Sequence, residues 1–143
     1  MRTIWADLST AVKIPQVNML VKIDTREKFY VITLNSTNIA ANMTAEIKDS
    51  LLPLLETTVK NVVFNLRNIE SVEPAAAESL ASLQQYFYEN NASFVFCEIQ
   101  KSVEDSLEQQ ELLELMSNTP TESEAWDIVQ MEEIERELLG DEE

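Results

Sequence analysis

The feature that most constrains this chain is a short apolar run, residues 62–66, followed within one loop by a helix start at Pro74. The run is too short for an ordinary helix and is rich in β-branched and aromatic residues, which predicts a buried strand. Pro74 suits a first helical turn, because the N–H that proline lacks would have no intrahelical partner there. Four apolar residues then recur at helical spacing: Ala76, Leu80, Leu83 and Phe87. Asn90 and Asn91 are expected to end this helix.

Two further strands and a helix are predicted before this unit. Residues 19–23 and 29–34 are apolar runs around a polar turn at residues 25–28, a connection short enough for an antiparallel hairpin. Apolar residues recur at helical spacing between residues 43 and 55, although Pro53 removes a helix hydrogen bond. We therefore expect this helix to be kinked or split.

The C-terminal half continues the alternation of strands and helices. Residues 93–99 predict a strand, after which Ser102 is placed to cap a helix. The apolar residues within 112–116 either extend that helix or form a short edge strand, and the sequence does not decide between the two. Thr121 is expected to cap the final helix, with Glu124 as its capping-box partner. The apolar side of that helix is predicted to include Ala125, Ile128, Val129 and Leu138.

Alternating strands and helices predict an α/β fold, with a mixed, mostly parallel sheet of four or five strands and helices packed against it. The 143 residues suit one domain, which we place at residues 19–139. Residues 1–18 form an N-terminal extension whose order the sequence does not fix, although Trp5, Leu8 and Val12 are candidates to pack on the domain. Residues 140–143 form an acidic tail.

The residues needed for catalysis or cofactor binding are scarce. The chain has no His, which removes the commonest general base and metal ligand, and Gly140 is its only glycine, which removes glycine-rich phosphate loops. We predict no enzyme activity, no metal site and no cofactor. Cys97 is the only cysteine and lies in an apolar run, which favours a plain core thiol.

The formal net charge of −16 argues against nucleic-acid binding, which needs clustered Lys and Arg. No apolar run approaches the roughly 20 residues that span a bilayer, and the first residues do not follow a signal-peptide pattern, so we expect a cytoplasmic protein without a membrane role. Acidic residues dominate from Glu104 onward, where Arg136 is the only basic residue. This region is either a solvated acidic face or a docking surface for a basic partner.

The junction at residues 62–77 resembles that of the STAS domain (sulphate transporter and anti-sigma factor antagonist). In that family a buried strand ends in an acidic residue, two serines and a glycine that open the next helix. Glu73 matches the acidic residue, whereas Pro74, Ala75 and Ala76 replace the serines and the glycine. The resemblance covers residues 19–139, and residues 119–138 resemble the final helix of anti-sigma-factor antagonists of the Bacteroidetes type.

The resemblance implies a regulatory protein-binding module whose partner is an anti-sigma factor serine kinase or another STAS-like protein. In the family, that kinase phosphorylates a serine at the helix start, but Pro74 and Ala75 carry no hydroxyl, so we expect no phosphorylation control there. Ser71 and Ser79 are the nearest hydroxyls, and either is a candidate relocated phosphosite. The partner-binding residues expected on an exposed helix start are Ser71, Glu73, Pro74, Ala75, Ala76 and Ala77. The alternative is a structural scaffold forming homo- or hetero-oligomers through this helix start.

Overall fold

The structure is a computed structural model that describes residues 20–141, with side-chain burial described for residues 20–139. The predicted extension, with Trp5, Leu8 and Val12, lies outside the described residues, as do Glu142 and Glu143. The strands of the described part are β1 (Val21–Thr25), β2 (Tyr30–Leu34), β3 (Asn38–Ile39), β4 (Val62–Asn65), β5 (Ser71–Val72), β6 (Phe94–Cys97) and β7 (Asn118–Thr119). The helices are α1 (Thr44–Leu51), α2 (Pro74–Glu89), α3 (Lys101–Gln109) and α4 (Glu122–Asp141).

Five strands form the main sheet in the order β1-β2-β4-β6-β7, and β3 and β5 form a separate small sheet. β1 and β2 pair antiparallel, as the predicted hairpin requires, and the N–H of Arg26 closes their turn on the carbonyl of Phe29 at 2.8 Å. The pairs β2–β4, β4–β6 and β6–β7 are parallel. The prediction of a mixed, mostly parallel sheet is therefore confirmed.

The sheet separates two apolar layers, because successive side chains of a strand point to opposite faces. Phe64, Phe94 and Phe96 join the larger layer, which α1, α2 and α3 cover. Val63 and Val95 join the smaller layer, which Ala125 and Val129 of α4 cover. The two faces thus differ in extent, and the smaller layer also contains Phe29, whose ring lies 5.0 Å from that of Trp126 in α4.

Pro53 splits its helix, as predicted. α1 ends at Leu51, and a 3₁₀ helix at Leu52–Glu56 contains Pro53. The prediction that Ser102 caps α3 is wrong, because the helix begins at Lys101 after Gln100. The Ser102 hydroxyl instead donates to the carbonyl of Glu70 at 2.8 Å, which ties α3 to the loop before β5.

The segment that the sequence left undecided is neither a helix extension nor a strand. Leu113–Leu115 forms a 3₁₀ turn in which Leu115 is 75% exposed, whereas Met116 is buried. The edge strand β7 follows at Asn118–Thr119. The sheet is therefore extended by polar residues that pair with β6. Of the apolar residues before them, Met116 is buried in the adjacent core and Leu112 and Leu113 pack against it.

Thr121 caps α4 as predicted, since its Oγ1 accepts the N–H of Glu124 at 3.1 Å. The Glu124 carboxylate accepts the Thr121 hydroxyl at 2.9 Å, so the reciprocal bond uses the side chain and not the backbone N–H of Thr121. Leu138 was expected on the buried side of α4 and is 61% exposed. None of the described helices is long and apolar enough to span a membrane.

Candidate partner-binding surface

The segment before α2 is held in place by parallel pairing of β5 with β3, in the register Asn38 to Ser71 and Ile39 to Val72. The carbonyl of Thr37 accepts the N–H of Glu70 at 2.6 Å. The N–H of Glu73 donates to the carbonyl of Ile39 at 2.9 Å. These bonds fix the start of α2 against the loop that leads from β2 into α1.

Glu73 is the N-cap of α2, with extended backbone angles of φ −67° and ψ 148°. Its carboxylate makes no capping bond to α2 and instead accepts the N–H of Ala41 at 2.9 Å, at the start of the 3₁₀ turn that leads into α1. The sequence predicted a carboxylate at one helix start. The structure places it where two helical segments begin, and a negative charge stabilises the positive end of each.

The three alanines of the helix start do not share one environment. Ala75 and Pro74 are exposed, whereas Ala76 and Ala77 are completely buried in the larger apolar layer. The expectation that Ala76 and Ala77 present an exposed apolar patch is therefore corrected. Their small side chains let the helix start approach the core closely, so the exposed surface is formed by Glu73, Pro74 and Ala75. The sequence already indicated this burial, because helical spacing places Ala76 and Ala77 on the same side of α2 as Leu80.

A groove of about 870 Å³ runs between α1 and α2 and includes Ala75. Buried Ile47, Leu80 and Leu83 are part of its lining. The α2 wall presents side chains four, three and four residues apart, which places them on one side of the helix. These are Ala75, Ser79, Ser82 and Tyr86. Tyr86, which is 48% exposed, is not among the binding residues predicted from the sequence. Its helical spacing from Ala75 is the sequence signal that places it on the same side of α2.

The two candidate phosphosites occupy different surroundings. Ser71 lies on β5, and its hydroxyl donates to the Oδ1 of Asn38 at 2.7 Å, so it reinforces the small sheet. Ser79 is exposed and lines the groove. The Ser71 hydroxyl helps to join β3 to β5, whereas the Ser79 hydroxyl lies beside the predicted binding residues and has no such role.

A polar cluster lies at the carboxyl end of β4. The amide nitrogen of buried Asn65 donates to Glu98 and to Glu122, at 3.1 Å each. Burial, with the added field of the Glu98 and Glu122 carboxylates, raises the pKa of the neighbouring Cys97 thiol to about 12. Cys97 is thus a buried, protonated thiol, as the sequence predicted. Within residues 20–141, no three His, Cys, Asp or Glu side chains come together as a metal site would require.

The acidic C-terminal region contains carboxylates in two kinds of environment. Glu132 accepts the hydroxyl of Tyr88 at 2.9 Å, and Glu133 accepts the side-chain amide of Asn61 at 2.7 Å. Glu135 and Glu137 are exposed. The region is therefore not a uniform acidic surface, because some of its carboxylates hold α4 on the sheet.

Solved structures with the same fold include anti-sigma-factor antagonists. An anti-sigma-factor antagonist (STAS) domain protein from Planctomyces limnophilus has a TM-score of 0.66 at 15% identity, over 77% of this chain and 97% of that chain. An anti-sigma factor antagonist from Mycobacterium paratuberculosis has a TM-score of 0.66 at 13% identity, over 77% of this chain and 92% of that chain.

The third is the Bacillus anti-sigma factor antagonist SpoIIAA in its unphosphorylated form, with a TM-score of 0.61 at 13% identity, over 77% of this chain and 96% of that chain. SpoIIAA also has a solved phosphorylated form. Comparison with curated protein sequences gives no match. The family model of the STAS domain matches residues 21–125, and the chain therefore belongs to the STAS domain family.

Proposed function

We propose that this protein is a non-enzymatic, anti-sigma-factor-antagonist-type module that binds a protein partner through the start of α2. The observation that carries the proposal is the junction itself. Backbone pairing of β3 with β5 and the bond from Ala41 to Glu73 hold Glu73, Pro74 and Ala75 in one exposed arrangement beside the groove. A preorganised surface of this kind loses little conformational entropy on binding.

The partner that fits this surface is an anti-sigma factor serine kinase or another STAS-like protein. Ala75, Ser79 and Tyr86 offer small, polar and aromatic groups along one side of α2, and Lys48 stands on the α1 side of the groove. Such a mixture suits a protein surface better than an anionic membrane or a nucleic acid, both of which the charge of −16 repels. The corresponding location is the cytoplasm.

The proposed interaction has no phosphorylation control at the helix start. A phosphate adds roughly −1.5 to −2 charges near pH 7, enough to make a docked surface repulsive. Pro74 and Ala75 have no oxygen that accepts a phosphate, and the Ser71 hydroxyl is bonded to Asn38. The binding state is then set by the amounts of the protein and its partner.

The first experiment isolates the partner by co-purification with the tagged full chain from its native cell, and then measures the affinity of variants by calorimetry. Ala75→Glu should weaken binding by more than a factor of ten, about 1.4 kcal/mol, because it places a carboxylate where the family would carry phosphate. Ser123→Glu is the matched control, since Ser123 is exposed and holds the same second helical position in α4.

Both variants should melt within a few degrees of the unsubstituted protein, because acidic residues are tolerated in a first helical turn. Equal binding by Ala75→Glu and Ser123→Glu would move the interface away from α2. If the chain forms only oligomers of itself and no second protein binds, the scaffold alternative takes the place of this proposal.

The second experiment tests the loss of phosphorylation control. The unsubstituted protein is incubated with an anti-sigma-type serine kinase, and intact mass with peptide mapping follows any phosphate. We expect none at residues 71–79, whereas Ala75→Ser supplies a hydroxyl at the family position and is expected to be modified. Stoichiometric phosphate on Ser71 or Ser79 of the unsubstituted protein would contradict the proposal.

A further inference from the structure

The second half of α4 has its polar and apolar sides reversed relative to an ordinary surface helix. The side facing the sheet carries Glu132, Glu133 and Arg136, all of which are partly buried. The opposite side carries Met131, Ile134 and Leu138, which are 55%, 56% and 61% exposed. Surface helices normally direct their apolar stripe toward the core. Two features of α4 therefore need an explanation: what fixes its rotation on the sheet, and why its apolar side chains are exposed.

Directed hydrogen bonds fix the orientation of α4. The Arg136 guanidinium donates to the Ser93 hydroxyl at 3.2 Å and to the Oδ1 of Asn61 at 3.3 Å. Glu133 accepts the side-chain amide of Asn61, and Glu132 accepts the Tyr88 hydroxyl. Rotating the helix to bury its apolar residues would break these bonds and leave partly buried charged groups without partners, which is costly. The apolar residues are thus held toward the outside.

The exposed residues form one continuous surface, which we call the α4 apolar strip: Met131, Ile134 and Leu138. Their spacing of three and four residues places them on one side of the helix. At 100° per residue, Glu135 lies on one flank of the strip and Glu137 on the other, and both are exposed. Exposed Asp127 lies in line with the strip, one turn before Met131. The surface is therefore an apolar strip bordered by carboxylates.

We propose that the α4 apolar strip docks an amphipathic helix of a partner protein whose apolar face is bordered by Lys or Arg. Apolar side chains of the partner would cover the strip, and its basic flanks would pair with Glu135 and Glu137. A second copy of this chain fits poorly, because its own acidic flanks would face those of the first copy. α4 and α2 cover opposite faces of the sheet, so this site is separate from the partner-binding surface and both can be occupied together.

The test measures binding of the full chain to an amidated, fluorescently labelled three-heptad peptide with Leu at positions a and d and Lys at e and g. The Lys residues also keep the peptide from pairing with itself. Replacing the strip by Met131→Gln, Ile134→Gln and Leu138→Gln together should weaken binding at least about tenfold, because Gln keeps helix propensity but removes the apolar contact. The control is Leu115→Gln, which removes a large exposed apolar side chain from the 3₁₀ turn before β7, outside both proposed binding surfaces, and should leave peptide binding unchanged.

The charged flanks have their own test. Glu135→Gln with Glu137→Gln should weaken peptide binding at low salt, and this difference should shrink as salt is added, because salt screens exposed charges. A peptide of the same design with Glu in place of Lys should bind at least about tenfold more weakly than the Lys peptide. Equal binding of the two peptides would overturn the assignment of a basic partner.

Three further results would overturn the proposal. The first is unchanged peptide binding by the triple Gln variant. The second is self-association of the unsubstituted chain that the triple variant abolishes, which would make a second copy the occupant. The third is a loss of several degrees in melting temperature in the triple variant, which would show that the chain's own residues cover the strip.

Discussion

α2 and the second half of α4 lie on opposite faces of one sheet and differ in which side chains they turn toward the protein. α2 buries Leu80, Leu83 and Phe87 against a layer of phenylalanine rings and exposes mainly small and polar side chains, with Tyr86 among them. α4 covers the smaller apolar layer and, beyond Val129, turns Glu132, Glu133 and Arg136 toward the protein. Hydrophobic burial is strong but non-directional, whereas hydrogen bonds fix one rotation of a helix. In the second half of α4, the bonds of Glu132, Glu133 and Arg136 fix a rotation that leaves the apolar residues outside. In α2, the buried Gln84 bonds Phe94 and Ser117 in a rotation that also buries the apolar face.

The largest change in the free energy of unfolding is expected at two neighbouring residues of β6, which point into the two different apolar layers. Phe94 is fully buried, with ring centroids 5.1 Å from Phe87 and 5.2 Å from Phe96. Phe94→Ala should lower the free energy of unfolding by about 3–5 kcal/mol, because it leaves a large cavity. Val95→Ala, on the α4 side, should cost only about 2 kcal/mol, since it removes two carbons. Urea denaturation measures both, and equal losses would show that the layers contribute alike.

A smaller effect is expected from the bonds that orient α4. Arg136→Met keeps the apolar stem but removes the donors to Ser93 and Asn61, which should cost about 1–2 kcal/mol. The neighbouring change Glu137→Gln is the control, because an exposed substitution normally stays within about 0.5 kcal/mol. Hydrogen exchange in the second half of α4 should accelerate in the Arg136 variant alone. Unchanged exchange there would mean that packing of Ala125 and Val129 is sufficient to hold the helix.

The two helices also differ in how far the sequence predicts them. The start of α2 at Pro74 and its buried face follow from local chemistry and helical spacing, and the structure agrees with both. The same spacing misplaced Leu138, because apolar character normally indicates burial. The partners of Arg136 are far away in sequence, and no local pattern shows that Asn61 and Ser93 lie beneath it. Pairings of this kind depend on the assembled sheet.

The same limit applied to the candidate site. Glu73 and Ala75 could be predicted from their position at the strand-to-helix junction. The bond from Ala41 to Glu73 joins segments that are distant in the chain. It depends on the pairing of β3 with β5, which no local pattern in the sequence shows. Ser102 was misassigned for a related reason, since its hydroxyl bonds to Glu70 across the fold and not to its own helix.

The smallest effect is expected at Glu73. Glu73→Gln keeps an oxygen that can accept the N–H of Ala41 but removes the negative charge from the starts of two helical segments. The loss should be about 0.3–1 kcal/mol, and added salt should reduce it. Glu70→Gln is the control, because Glu70 is exposed in the preceding loop and joins the fold through its backbone. A loss in the Glu70 variant as large as that in the Glu73 variant would show that overall charge, and not position, is responsible.

Hydrogen exchange of the full chain, with and without its co-purified partner, shows whether the start of α2 is the partner-binding surface. Binding should slow exchange at residues 73–79 and at residues 41–48 across the groove, because both segments would be covered. Amides of the central strands should change little, since they are already buried. If the partner is bound and exchange at residues 73–79 is unaltered, the account of this surface is contradicted.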